Sequence, residues 1–125
     1  MTAEILTGAF APQGAIALRQ MHVEPETGDT VRCRVGLIID QQPVDLETSA
    51  PGAIGAMSEL LYGLGAGVEI VSLHHQNDGA YIAAYLRCRR DGRTCWAYGR
   101  AHTGDEATAR ALISAANQLT DRVGD

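Results

Sequence analysis

What most limits the fold of this chain is that its hydrophobic period changes twice, at a matching interval. Asp40 and Asp91 lie 51 positions apart, each in a turn between strand-like segments. About ten residues after each, the spacing of apolar residues goes from two to about 3.6. A period of two suits a half-buried strand and a period near 3.6 suits an amphipathic helix. The chain therefore reads as βββα followed by βββα.

The first unit opens at Gly14 with "AIALRQMHVE" as a strand, closed by the turn "PETGD". "TVRCRVGLII" is the second strand and "VDLETS" the third, joined by "DQQP". In "PGAIGAMSELLYGLG", Ile54, Met57, Leu60, Leu61 and Leu64 share one helical face. Ser49 is placed to cap that helix, Pro51 suits its first turn and Gly65 its C′ position. In the second unit "VEIVSLHH" and "AYIAAYLRCRR" are strands. Asp91-Gly92 is a strong two-residue hairpin signal, because both positions tolerate positive φ. "RTCWAYGRA" returns as the next strand. Thr103 and Glu106 form a T-x-x-E capping box, with Asp105 favouring the positive helix end. Ala107, Ala111, Ile113, Ala115, Ala116 and Leu119 give the last helix a small-residue face.

The expected class is α+β: two βββα repeats with an internal pseudo-twofold, about 14–66 and 67–122, preceded by a flexible N-terminal arm over 1–13. Six strands side by side with both helices on one face would leave the other face to solvent or a second chain, so a homodimer is expected. With 15 acidic and 10 basic residues, every basic one an arginine, the net charge of −5 argues against a nucleic-acid surface. No apolar run approaches the ~20 residues that span a bilayer, and "MTAEILTGAFAPQG" lacks the basic start and apolar core of a secretion signal. Three cysteines without CxxC spacing read as reduced thiols of a cytoplasmic protein, with Cys88 and Cys95 facing each other across a hairpin.

The chemistry-bearing residues gather in "SLHHQNDGAYIAA" and "RAHTG". His74 and His75 are neighbours at the expected end of a strand, so their side chains point to opposite sides. No HxH, HExxH or CxxC spacing accompanies them, so no metal is expected. His74 or His75 with Asp78 and His102 could act as general acid and base near neutral pH. The plainer alternative is a set of exposed turn histidines. Tyr81, Tyr85, Trp96 and Tyr98 read as cross-strand packing. Arg87, Arg89, Arg90, Arg93 and Arg100 read as a solvated strand face, with a carboxylate partner as the alternative. Gly52 and Gly104, at the two helix starts, fit either close ligand approach or turn geometry.

The stretch from Asp91 to Leu119, "DGRTCWAYGRAHTGDEATARALISAANQL", resembles the end of the C-terminal allosteric (dimerisation) domain of 2-isopropylmalate synthase. That family shows "DGRTVWGVG" and a helix ending "A-S-x-x-A-x-x-S-A-x-N". Asp91, Gly92, Arg93, Trp96 and Gly99 match the strand, and Ala107, Thr108, Ala111, Ser114, Ala115 and Asn117 match the helix. Gly52, Ile54, Ala56 and Leu61 are similar to the family's "GNGPVDA…AL…LG" segment, and "AYIAAYLRC" to its "A..AAYV.." strand. The resemblance covers about residues 14–120 and implies a single regulatory-type domain over 14–122. It also implies a homodimer and a leucine-sized effector near the helix N-termini. The ligand-binding residues expected on that basis are Gly52, Ala53, Ile54, His74, His102, Thr103 and Gly104, with no cofactor.

Where the family has "GNGPVDA" this chain has "APGAIGA", placing Pro51, Ala53 and Gly55 at its Asn, Pro and Asp. Where it has "GIDANI" this chain has "GRAHTG", with Ala101 and Thr103 at its Asp and Asn and His102 between. Its glycine-rich loop is cut to "HHQNDG". The expected function is a small-carboxylate or amino-acid sensor, for instance of a branched-chain amino acid, that could dock on a synthase catalytic subunit. The chain has no room for the synthase barrel, so its condensation reaction is not expected. The alternative is a small isomerase or cyclase working through His74, His75, Asp78 and His102.

Overall fold

The computed structural model describes residues 16–120, so the expected arm over 1–13 and the strand start at Gly14 lie outside the described residues. The element order is β1 (Ile16–Pro25), β2 (Val31–Ile39), β3 (Gln42–Ala50), α1 (Ala53–Gly63), β4 (Glu69–Asp78), β5 (Tyr81–Arg90), β6 (Arg93–Ala101) and α2 (Gly104–Leu119). This is βββα twice, as the alternating periods require. The six strands form two antiparallel three-stranded sheets, ordered β1-β2-β3 and β4-β5-β6, and not one continuous sheet. Each sheet has its own apolar face to bury. α1 packs on β2 and β3; α2 packs on β5 and β6 and on its other side meets α1 and β1. α2 is accordingly buried on almost every side, including Ala107, Ala111, Leu112, Ala115 and Ala116.

The duplication extends to irregularities. β1 is bulged between Leu18 and Gln20, β4 between Ile70 and Ser72. A bulge inserts one residue and re-aims those beyond it. Both hairpins into the third strands turn through two residues with positive φ, Asp40 (51°) and Gln41 (70°), then Asp91 (52°) and Gly92 (80°). That is the geometry matching the right-handed strand twist.

Three local expectations are corrected. Ser49 does not cap α1: it lies in β3 opposite Arg32, because the ladder runs on to Ala50. Gly52 takes the N-cap position with no side-chain cap. Leu64 does not join the buried face of α1, because the helix ends at Gly63 and Leu64 is its exposed C-cap residue. β4 does not stop at His75. It pairs through to Asp78, and the "HHQNDG" segment is strand plus a two-residue turn at Gly79-Ala80 rather than a loop.

Other ends are as the residues dictate. Gly65 (φ 78°) gives α1 a Schellman end, with Ala66 N–H donating to the Leu61 carbonyl and Gly65 N–H to that of Tyr62. The Thr103 hydroxyl accepts from Glu106 N–H at 3.2 Å, while the Glu106 carboxylate binds Arg110 at 2.8 Å. Gly99 is where α2 approaches β6: a side chain there would strike the Ala107 carbonyl and the Ala111 amide. Cys88 and Cys95 face each other in the ladder as free thiols. Burial, and secondarily Cys95, push the Cys88 thiol up to about 12, so it stays protonated and inert. Among the described residues no helix is long and apolar enough to cross a membrane.

Candidate functional site

The bulge in β4 decides which histidine meets the helix start. Beyond it, Leu73, His75 and Asn77 pair with Leu86, Ala84 and Ile82, the α2-facing residues of β5. His74 and Asp78 pair with Tyr85 and Tyr81 on the outer face. Thus His75, and not His74, lies against α2. His75 Nε2 is 2.7 Å from Thr108 Oγ1, and a methyl group at Gly104 would lie 3.2 Å from His75 Cε1. Thr108 is fully buried. Its hydroxyl is thereby partnered, as a buried polar group requires. The imidazole roofs the first turn of a 16-residue helix, where backbone N–H groups have no intrahelical acceptor and the potential is positive.

From the sequence, Thr108 stands only as a match to the family's helix motif and not as a site residue. The signal was available. Counting 51 residues back from Thr108 gives Met57, and the matching bulges set Val23 against His75. The second unit has therefore put a hydrogen-bonded polar pair where the first has two apolar residues.

His102 and Asp78 lie elsewhere. His102 stacks on Tyr81, with ring centroids 4.5 Å apart, and its Nδ1 faces the Ala80 carbonyl at 3.4 Å. Arg100 covers Tyr81 at 4.1 Å and donates to Asp78 at 3.0 Å. These four side chains brace the outer face of the β4–β5 turn. His74 is beside Tyr85 at 6.3 Å. Thr103 and Gly104 belong to the α2 start under His75. Gly52, Ala53 and Ile54 form the α1 start, with Ala53 buried and Ile54 half-buried.

The arginine-rich hairpin is internally matched. Arg87 lies 5.9 Å over Trp96, and Arg89 binds Glu69 at 2.9 Å. Arg90 donates to the Gly67 and Gly65 carbonyls, and Arg93 to those of Leu119 and Gln118. A groove of about 230 Å³ lined by Tyr62, Gly67, Glu69, Arg89, Arg90, Asp91 and Gly92 sits there, at the other end of β4 from His75. Among the described residues, no three His, Cys, Asp or Glu side chains are placed to hold a metal ion.

No protein-family model matches the chain. Over 115 residues it is 30% identical to the 2-isopropylmalate synthase of Corynebacterium efficiens, covering 89% of this chain and 20% of that protein. The 2-isopropylmalate synthase of Corynebacterium glutamicum is likewise 30% identical over 115 residues, 18% of its length. The chain is thus related to these synthases and spans about one fifth of the length of the curated relatives it matches.

Proposed function

We propose that this chain is a homodimeric regulatory-type domain that binds a small carboxylate or amino-acid-like ligand at the start of α2. The observation that carries the reading is the seat of His75 over Gly104 with Nε2 bonded to Thr108. A carboxylate entering beside the imidazole would meet the first backbone N–H groups of α2, where an anion is favoured by the unpaired donors and the helix dipole together. Asp105, exposed in the same turn, is an acidic partner for an ammonium group. The relation to 2-isopropylmalate synthases over nearly the whole chain supports a role tied to such an enzyme, with docking on a separate catalytic subunit as one form of it. A branched-chain amino acid or its keto acid is the first ligand to try.

An acid–base enzyme gains less support. His75 is on the inner face of β4, away from Asp78 and His102. His74 shares their outer face but lies beside Tyr85, four residues along the strand from Asp78, while Asp78 is held by Arg100 and His102 is stacked on Tyr81. These groups do not converge on one substrate position.

Thermal unfolding in the presence of leucine, isoleucine, valine and their keto acids tests the proposal. A ligand at about 100 times its Kd stabilises the folded state by ~2.7 kcal/mol, which is a rise of several degrees in a domain of this size. One compound should give a saturable rise. No rise with any of them at millimolar concentration would contradict the reading.

A further inference from the structure

The two edge strands that begin the repeats are treated differently, and the difference points to a partner. β1 is an outer strand of the first sheet, and the first residues of its free edge, Ile16 and Leu18, are covered within the chain. Asn117 accepts from Ile16 N–H at 3.1 Å and donates to the Ile16 carbonyl at 2.8 Å, and Arg110 donates to the Leu18 carbonyl at 3.3 Å. These are α2 side chains reaching across to the other unit. By the duplication α1 should do the same for β4, and it does not. The counterpart of Arg110 is Glu59, which is bonded by the Thr48 hydroxyl. The counterpart of Asn117 falls beyond Gly63, where α1 ends.

β4 is therefore an open edge. It is ten residues long, contains no proline or lysine, and is exposed at every position except half-buried Ile70. Val71 is 47% and Leu73 43% exposed. Among the described residues no strand pairs on its other side. An edge of this kind is a template for another strand unless something covers it.

We infer that β4 pairs antiparallel with β4 of a second copy, joining two three-stranded sheets into one six-stranded sheet across the dimer. The inference rests on the proposed homodimer and assigns its contact surface. A second copy presents an identical open β4 edge, and a twofold axis pairs the two β4 edges in one step. The charges permit it. The two acidic residues of β4 are already paired within their own sheet, Glu69 with Arg89 at 2.9 Å and Asp78 with Arg100 at 3.0 Å, so two β4 strands approach without net repulsion. The bulge after Ile70 confines regular pairing to the stretch from Ser72 to Asp78. That stretch includes His75, so the second copy would stand beside the α2 site.

Size-exclusion chromatography with light scattering reads the outcome on the full chain, comparing the wild type with Val71→Arg/Leu73→Arg and, as control, Trp96→Arg. The inference expects a wild-type dimer, a twofold lower mass for the β4 variant with its circular dichroism unchanged, and a dimeric control. A wild-type monomer at 100 times working concentration would overturn the dimer and the edge together. A wild-type dimer that survives in the β4 variant, or one broken only by Trp96→Arg, would overturn the edge alone. Hydrogen exchange on the unmodified dimer is the second measurement, independent of how the variants fold. Amides from Ser72 to Asp78 should be protected on both strand sides, and fast exchange of alternate amides in a stable dimer would overturn the assignment.

Discussion

The first βββα unit is spacious at its helix and closed at its edge strand, and the second is the reverse. In the first, Thr48 on β3 carries a side chain toward α1, bonded to Glu59. At the counterpart position on β6 stands Gly99, and α2 lies so close that no Cβ fits. At the positions matching His75 and Thr108 of the second unit, the first unit carries Val23 and Met57. The start of β1 is covered by Asn117 and Arg110, while β4 has no such cover from α1 among the described residues. A duplicated backbone has thus been divided between a unit that completes the core and one that presents polar groups and a free strand. The longer helix is the reason both assignments are possible. Its 16 residues cover its own sheet and reach the start of the neighbouring unit's β1, whereas α1, of 11 residues, ends before the position matching Asn117.

Breaking the close approach should have the largest effect. Gly99→Val pushes a side chain into the α2 backbone and should cost about 3 kcal/mol, the upper range for overpacking, measured by urea unfolding. Thr48→Val at the matching position loses one exposed hydrogen bond and should stay within ~0.5 kcal/mol. Equal costs would show that the two helices are packed alike.

The helix starts give the next effect. Thr103→Ala removes a side-chain cap and should destabilise by ~1 kcal/mol. Gly52 has extended backbone (φ −159°, ψ 167°) and no side-chain cap, so Gly52→Ser should gain a few tenths of a kcal/mol. Opposite signs in thermal melts would sharpen the comparison, and a loss at both would break it.

The smallest effect lies in the β1–β2 turn. Glu26 is held below the usual carboxylate range by its hydrogen bond from Arg32 and then by Ser49 and Thr30. A lowered carboxyl pKa stabilises above its unfolded value and loses that contribution as pH falls through the folded value. Glu26→Gln should lower stability slightly at pH 7 and leave it unchanged in strong acid.

Most of the architecture was legible because periods and turn residues are local. Asp91-Gly92 and the Thr103 cap stand where their residues place them. The sequence alone ends β4 at His75, because His, Gln and Asn have little strand preference. Those residues are held in β4 by pairing with Ala84, Ala83 and Ile82, which is a non-local cause. Ser49 failed as a cap for the same reason, since pairing with Arg32 outweighs a local capping preference. The site was half legible. Location alone put a histidine of β4 and Gly104 near one another. Which histidine faces inward depends on a bulge that no local signal marks, and the polar character of Thr108 at the site shows by comparison with Met57.

The central claim is that the His75–Thr108 seat at the start of α2 is a ligand site. Titration calorimetry of the wild type and of His75→Ala, with the compound that raises the melting temperature most, tests it directly. The account predicts saturable binding by the wild type and at least a tenfold weaker Kd, ~1.4 kcal/mol, for the variant with its fold intact. Unchanged affinity in His75→Ala would contradict it.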